Sequence, residues 1–244
     1  RLRGMNPTAA ILIIGDEILS GRTREANAHH LAGELTRVGI DLREIRVVPD
    51  DQDAIVGALN ALRSAYAHVF TSGGIGPTHD DITADAVAAA FGVPIGIRED
   101  AATILREMYA RRGVTPNESQ MRMARIPNGA RLIENVLSGA PGFSVDNVHV
   151  MAGVPSIFRE MVAAVLPGLA HGTPRVVREV RFEVPEGAIA APLSALAADY
   201  PDLQMGSYPF HAEGIRGTNI VIKGYDAARV AAAFARLERE VPRG

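Results

Sequence analysis

Apolar residues run without interruption from Ala9 to Ile14 and stop at Gly15, the pattern of a strand buried on both faces. After a loop from Gly15 to Gly21 the period changes. From Asn27 to Val38, the residues Ala28, Leu31, Ala32, Leu35 and Val38 share one face of a helix that Gly39 closes as a C-cap. A second strand spans Leu42 to Val48 and ends at Pro49. Asp50 then opens a second helix, as its N-cap, with Ile55, Ala58, Leu59 and Leu62 as the stripe. His68 to Thr71 is a third strand, followed by a glycine turn and an Ala-rich helix from Asp80 to Phe91. Strand and helix thus alternate three times, which predicts a parallel sheet covered by helices.

A further helix spans Ala101 to Arg112, and Pro116, Pro127 and Gly129 break the chain beyond it. Phe143 to Val145 and Val148 to Met151 read as a hairpin around Asp146-Asn147, and Gly153-Val154-Pro155 leads into a helix from Ser156 to Leu166. Pro167, Gly168, Gly172 and Pro174 form the clearest linker. The pattern then changes: Val180, Phe182 and Val184 alternate with charged residues, as in a half-exposed strand. A helix (Leu193 to Asp199), strands Leu203 to Ser207 and Thr218 to Lys223, and a last helix (Ala227 to Glu240) complete a small β-α-β-β-α module.

Composition narrows the chemistry. The 244 residues carry a net charge of -3, and no Lys/Arg block stands out, so no nucleic-acid partner is expected. Cysteine is absent, which removes disulfides, thiolate metal sites and a Cys nucleophile and fits a cytoplasmic setting. Of the 25 basic residues all but Lys223 are arginine, so no Walker-type lysine accompanies the glycine turn. No apolar run approaches the roughly 20 residues of a membrane span, and none is expected. Arg1 to Met5 lacks a signal-peptide core, and Met5 is the candidate native start.

The chemistry concentrates in Thr71-Ser72-Gly73-Gly74-Ile75-Gly76-Pro77-Thr78-His79-Asp80-Asp81. A strand, a glycine turn and a helix start can aim backbone N–H groups at a phosphate that no Cβ keeps away. His79 stands where a dinucleotide fingerprint needs its third glycine, so a Rossmann site is not expected. Thr78 and Asp81 have the spacing of a capping box, which leaves Gly73, Gly74 and Gly76 to be explained together. His79 could donate to a phosphate or act as acid or base. Ligands of parallel sheets gather at the carboxyl ends of strands, and Gly15-Asp16-Glu17, Asp50 and the glycine loop all lie there. Asp16, Glu17, Asp80 and Asp81 offer hard oxygen ligands for Mg²⁺ or a similar ion.

These residues resemble the MoaB/Mog family, the molybdopterin-binding fold. Gly15-Asp16-Glu17-Ile18-Leu19, with Gly21 and Asn27, is similar to its opening motif. Pro49-Asp50 and the run from Thr71 to Thr83 are similar to its two further signatures. The Thr78-x-Asp80-Asp81 version is most like the amino-terminal domain of CinA, and also like the corresponding domain of eukaryotic FAD synthases. Asn135, Ala140-Pro141-Gly142-Phe143 and Gly153-Val154-Pro155 resemble later CinA motifs. Ser138-Gly139-Ala140 departs from the usual Gly-Thr-Ala, and Met151-Ala152 from the usual Leu-Pro.

The resemblance implies a three-layer α/β/α fold with a mostly parallel sheet over residues 8–172, and the small α+β module over 175–241. It implies a homo-oligomer, dimer or trimer. The ligand would be a phosphorylated pterin, molybdopterin among them, or a nucleotide. Asp50 and Asp81 are the expected catalytic residues. Gly15, Asp16, Glu17, Asn27, Ser72, Gly73, Gly74, Gly76, Pro77, Thr78, His79, Gly139, Pro141, Gly153 and Pro155 are the expected ligand-binding set, and Asp80 and Asp81 the expected metal ligands. An alternative is a pyrophosphatase using Mg²⁺, Mn²⁺ or Co²⁺ on ADP-ribose or FAD, and a second alternative a non-catalytic scaffold. Nicotinamide-mononucleotide deamidation is not expected, because the chain stops where the amidase domain of CinA would begin.

Overall fold

A computed structural model of the chain describes residues 6–212 and 214–241, so Met5 lies outside the described residues. It divides into two compact units, residues 1–172 and 173–244.

The first unit begins with β1 (Thr8–Ile14), α1 (Asp16–Leu19), α2 (Asn27–Arg37), β2 (Asp41–Val48), α3 (Gln52–Ala65), β3 (His68–Ser72) and α4 (Thr83–Phe91). It continues through β4 (Ile95–Ile97), α5 (Glu99–Arg111), α6 (Glu118–Met121), β5 (Arg125–Pro127) and β6 (Arg131–Ile133) to β7 (Gly142–Val145), β8 (Val148–Met151) and α7 (Pro155–Val165). The central sheet has the order β2-β1-β3-β8-β7-β6. Its first four strands are parallel, and β7 and β6 are antiparallel additions.

β1 shows why the unit has three layers. Ala10, Leu12 and Ile14 pack into one core with residues of α3, α4 and α5, while Ala9, Ile11 and Ile13 pack into another with α2 and α7. Successive side chains of a strand point to opposite faces, so an unbroken apolar run belongs between two layers of helices. The chain leaves β1 toward β2 on one side and returns to β3 on the other. The carboxyl ends of β1 and β3 therefore border a topological switch point, where ligands of such sheets bind.

Several local expectations are corrected. Asp16 and Glu17 form the first turn of the short helix α1, not a loop. The N-cap of α3 is Asp51, whose carboxylate accepts from Ala54 N at 2.9 Å, so Asp50 does not cap it. α4 begins at Thr83, not Asp80, and its N-cap residue Ile82 makes no side-chain cap. The capping box of Thr78 and Asp81 is absent. β4, β5 and β6 are short strands that no sequence period marks, β4 pairing with β5.

The second unit contains β9 (Val176–Phe182), α8 (Glu186–Asp199), β10 (Gln204–Ala212), β11 (Ile215–Gly224) and α9 (Ala227–Glu240). Its antiparallel sheet, β10-β11-β9, has a separate core of Val180, Phe182, Ile189, Leu196, Ile220, Ile222, Val230 and Leu237 among others. Among the described residues no helix is long and apolar enough to cross a membrane.

Candidate functional site

Main-chain bonds tie the strand ends together. Gly15 N donates to Val48 O at 3.2 Å and Gly73 N to Met151 O at 3.1 Å, joining β1 to β2 and β3 to β8 at their carboxyl ends. The glycines permit this approach. A Cβ on Gly73, at φ +110, would lie 2.2 Å from the Ile14 carbonyl oxygen, and one on Gly74, at φ +68, 2.1 Å from Thr83 Oγ1. No L side chain fits either place. Thr83 locks the arrangement, with Oγ1 donating to Gly73 O at 3.0 Å and N to Gly74 O at 2.9 Å.

A cavity of about 420 Å³ opens at this junction. Gly15, Glu17, Asp50, Gly73, Gly74, Gly76, Pro77, Asp80, Asp81 and Gly153 all line it, so four separate loops meet in one mouth. Among the described residues, no group accepts from the N–H of Gly74, Ile75 or Gly76. Thr78 N is already engaged: it and Thr78 Oγ1 donate to Asp81 Oδ2 at 2.8 and 2.5 Å. Asp81 braces the loop from within.

Asp50 lies opposite, where its Oδ2 accepts from Asp16 N at 3.0 Å. Partial burial and the nearby charges of Asp16, Glu17 and Asp80 raise its pKa above the ordinary aspartate value, against the lowering effect of that hydrogen bond. Asp80 is shifted the other way, below the ordinary aspartate value. Asn27 is 5% exposed, and its Nδ2 donates to Ser72 Oγ at 2.8 Å and to Gly153 O at 2.7 Å, binding β3 to the turn before α7. Asn27 and Ser72 support the mouth from behind rather than line it. Pro155, at the start of α7, lines a smaller cleft of about 60 Å³ beside Asn27.

Other expected residues lie outside the main cavity. The His79 side chain is 98% exposed and 3.9 Å from Asp80. Gly139 and Pro141 line a groove of about 660 Å³ that shares Asn135 and Ser138 with the main cavity. Asn135 organises that loop: its Nδ2 donates to Ser138 Oγ at 2.5 Å and Ala140 O at 2.8 Å, while its Oδ1 accepts from Leu137 N and Ser138 N. Met123 and Ile157, which no motif announces, and Val154 of the Gly153-Val154-Pro155 motif supply apolar wall to the main cavity. Among the described residues no three carboxylates or imidazoles converge as metal ligands do.

Comparison with known proteins places this geometry in a family. Residues 10–171 match the family model described as "Probable molybdopterin binding domain", and residues 174–244 match "FAD synthase, middle domain". The chain belongs to the MoaB/Mog-type molybdopterin-binding family. It is 33% identical over 202 residues to a protein of Archaeoglobus fulgidus, covering 82% of this chain and 84% of that one. It is 36% identical over 214 residues to a protein of Pyrobaculum calidifontis, covering 83% and 81%. Among solved structures, the protein CinA of unknown function from Thermoplasma acidophilum is 32% identical with a TM-score of 0.62, covering 68% of this chain and 99% of that one.

Proposed function

We propose that the chain binds a phosphorylated pterin or nucleotide, with the phosphate on the N–H groups of Gly74, Ile75 and Gly76. Asp50 and Asp81 are the catalytic candidates, Asp50 facing the reacting group and Asp81 holding the loop. The observation that carries this reading is the meeting of four strand-end loops in a cavity of about 420 Å³ beside three N–H groups that donate to no protein acceptor among the described residues. Such N–H groups at a sheet's carboxyl edge suit an anion. Membership of a molybdopterin-binding family supports the pterin form. We take the assembly to be a cytoplasmic homo-oligomer.

A thermal-shift screen of molybdopterin, AMP, ADP-ribose and FAD, each with and without Mg²⁺, Mn²⁺ or Co²⁺, tests it. A ligand that binds only the folded state raises the Tm. Molybdopterin or AMP should raise it in the intact chain and not in Asp81→Ala. A rise with ADP-ribose or FAD only when metal is added, with release of mononucleotide, would instead make the protein a metal-dependent pyrophosphatase. No response to any of them would leave a scaffold.

A further inference from the structure

The cavity in front of the glycine loop is lined by Glu17, Asp50, Asp80 and Asp81 and by no arginine, lysine or histidine. An anion on Gly74 to Gly76 would face four carboxylates and, among the described residues, no cation lining the same cavity. Walker-type phosphate loops carry a lysine, but here the first 222 residues contain none. A countercharge from the protein has to come from another element.

A second, narrower cleft of about 20 Å³ lies against the same residues, lined by Gly74, Ile75, Gly76, Asp81, Arg122 and Arg125 among others. Arg125 is committed, its Nη2 donating to the Asp85 carboxylate on α4. Arg122 is not: among the described residues its side chain makes no hydrogen bond or ion pair, and its Nε, like that of Arg125, is sealed from solvent without an acceptor. A buried donor without a partner is uncommon, and each instance calls for an explanation. Arg122 is also firmly placed. It opens the turn Arg122–Ala124 behind α6, whose Asn117–Gln120 capping box is complete, and Arg98 N donates to Ala124 O at 2.9 Å.

We infer that Arg122 is the cation the glycine loop lacks, a binding residue that meets the anionic group of a ligand held on Gly74 to Gly76. This rests on the phosphorylated-ligand reading above. Guanidinium suits the role because it stays charged and presents several donors in one plane to phosphate oxygens.

Calorimetric titration with AMP and with adenosine, at low and high salt, tests it. Arg122→Gln should weaken AMP binding at least tenfold and flatten its salt dependence, while adenosine binds as in the unaltered chain. Arg37→Gln, an exposed change on α2, should bind AMP normally. If Arg122→Gln unfolds, Arg122→Met, which keeps the stem, is read the same way. AMP binding that survives the loss of Arg122, or equal loss of AMP and adenosine binding, overturns the assignment. If the unaltered chain binds neither AMP nor pyrophosphate, the phosphorylated-ligand reading itself falls and Arg122 with it.

Discussion

The backbone N–H of Asp16 donates to Oδ2 of Asp50 at 3.0 Å, so the first turn after β1 is held by a carboxylate from the end of β2. That carboxylate is partly buried and faces Asp16, Glu17 and Asp80, which together raise its pKa. A carboxyl whose folded pKa exceeds its unfolded value binds its proton more tightly in the folded chain. Its contribution to stability is present at low pH and is lost as pH rises from the ordinary aspartate range through the folded pKa. Asp50→Asn should therefore raise the Tm at pH 7 and leave it unchanged near pH 3, in pH-resolved thermal melts. It should also abolish any ligand turnover, a trade of stability against function familiar at active sites.

Asn27 should behave in the opposite way. Its amide is the donor to both Ser72 Oγ and Gly153 O in a buried position. Asn27→Ala strands both acceptors and is expected to cost about 1–3 kcal/mol in denaturant unfolding. Asn27→Asp puts a second acceptor against the Gly153 carbonyl and should be worse.

The glycines of the loop should differ among themselves. Gly73→Ala combines a positive φ with a Cβ 2.2 Å from the Ile14 carbonyl oxygen, so strand ends must separate. A loss above about 1 kcal/mol is expected. Gly76→Ala meets the Asp81 carboxylate at 2.6 Å, a side chain that can swing away. It should keep the fold and lose ligand response, a contrast visible in paired melts with and without AMP.

His149 sets the acid limit. It is 2% exposed, lies beside Ser144 Oγ at 2.9 Å, and burial together with the charges of His68 and Arg131 lowers its pKa to about 3. A histidine with a depressed folded pKa stabilises the fold above its ordinary value, 6.5, and that contribution is lost as pH falls from there toward about 3. Replacing it with Phe should flatten the fall in stability between pH 6 and pH 4, by up to about 1.4 kcal/mol per pH unit for one proton.

Alternation of strand and helix was enough to bring Gly15, Asp50 and Gly73 to one edge, because a parallel sheet has a single carboxyl side. Finer features were not legible in that way. Asp50 and Asp51 are equally good caps in sequence, and only the backbone torsion at Asp51 decides between them. Thr78 and Asp81 have the spacing of a capping box, yet the chain there bends without forming a helix, and the Thr78 hydroxyl donates to Asp81 rather than accepting from its N–H. α1 has four residues and β4, β5 and β6 three each, too short for any period to emerge. The closeness of Arg122 to Gly74 is a long-range relation with no local mark. The place of Asp50 and Asp81 in the mouth follows from the fold, and what they do there is for the experiments above.

Where β1, β3 and β8 end, main chain touches main chain: a Cβ on Gly153 would lie 3.3 Å from Gly73 Cα, as one on Gly73 would strike Ile14 O. The gap between these strands is thus dimensioned by peptide geometry, which mutation of neighbouring side chains cannot retune. Divergence in ligand preference has room at side chains such as Met123, Val154 and Ile157, which furnish the cavity wall. A library randomised at those three positions, with every glycine retained, would vary selectivity on a frame of constant width.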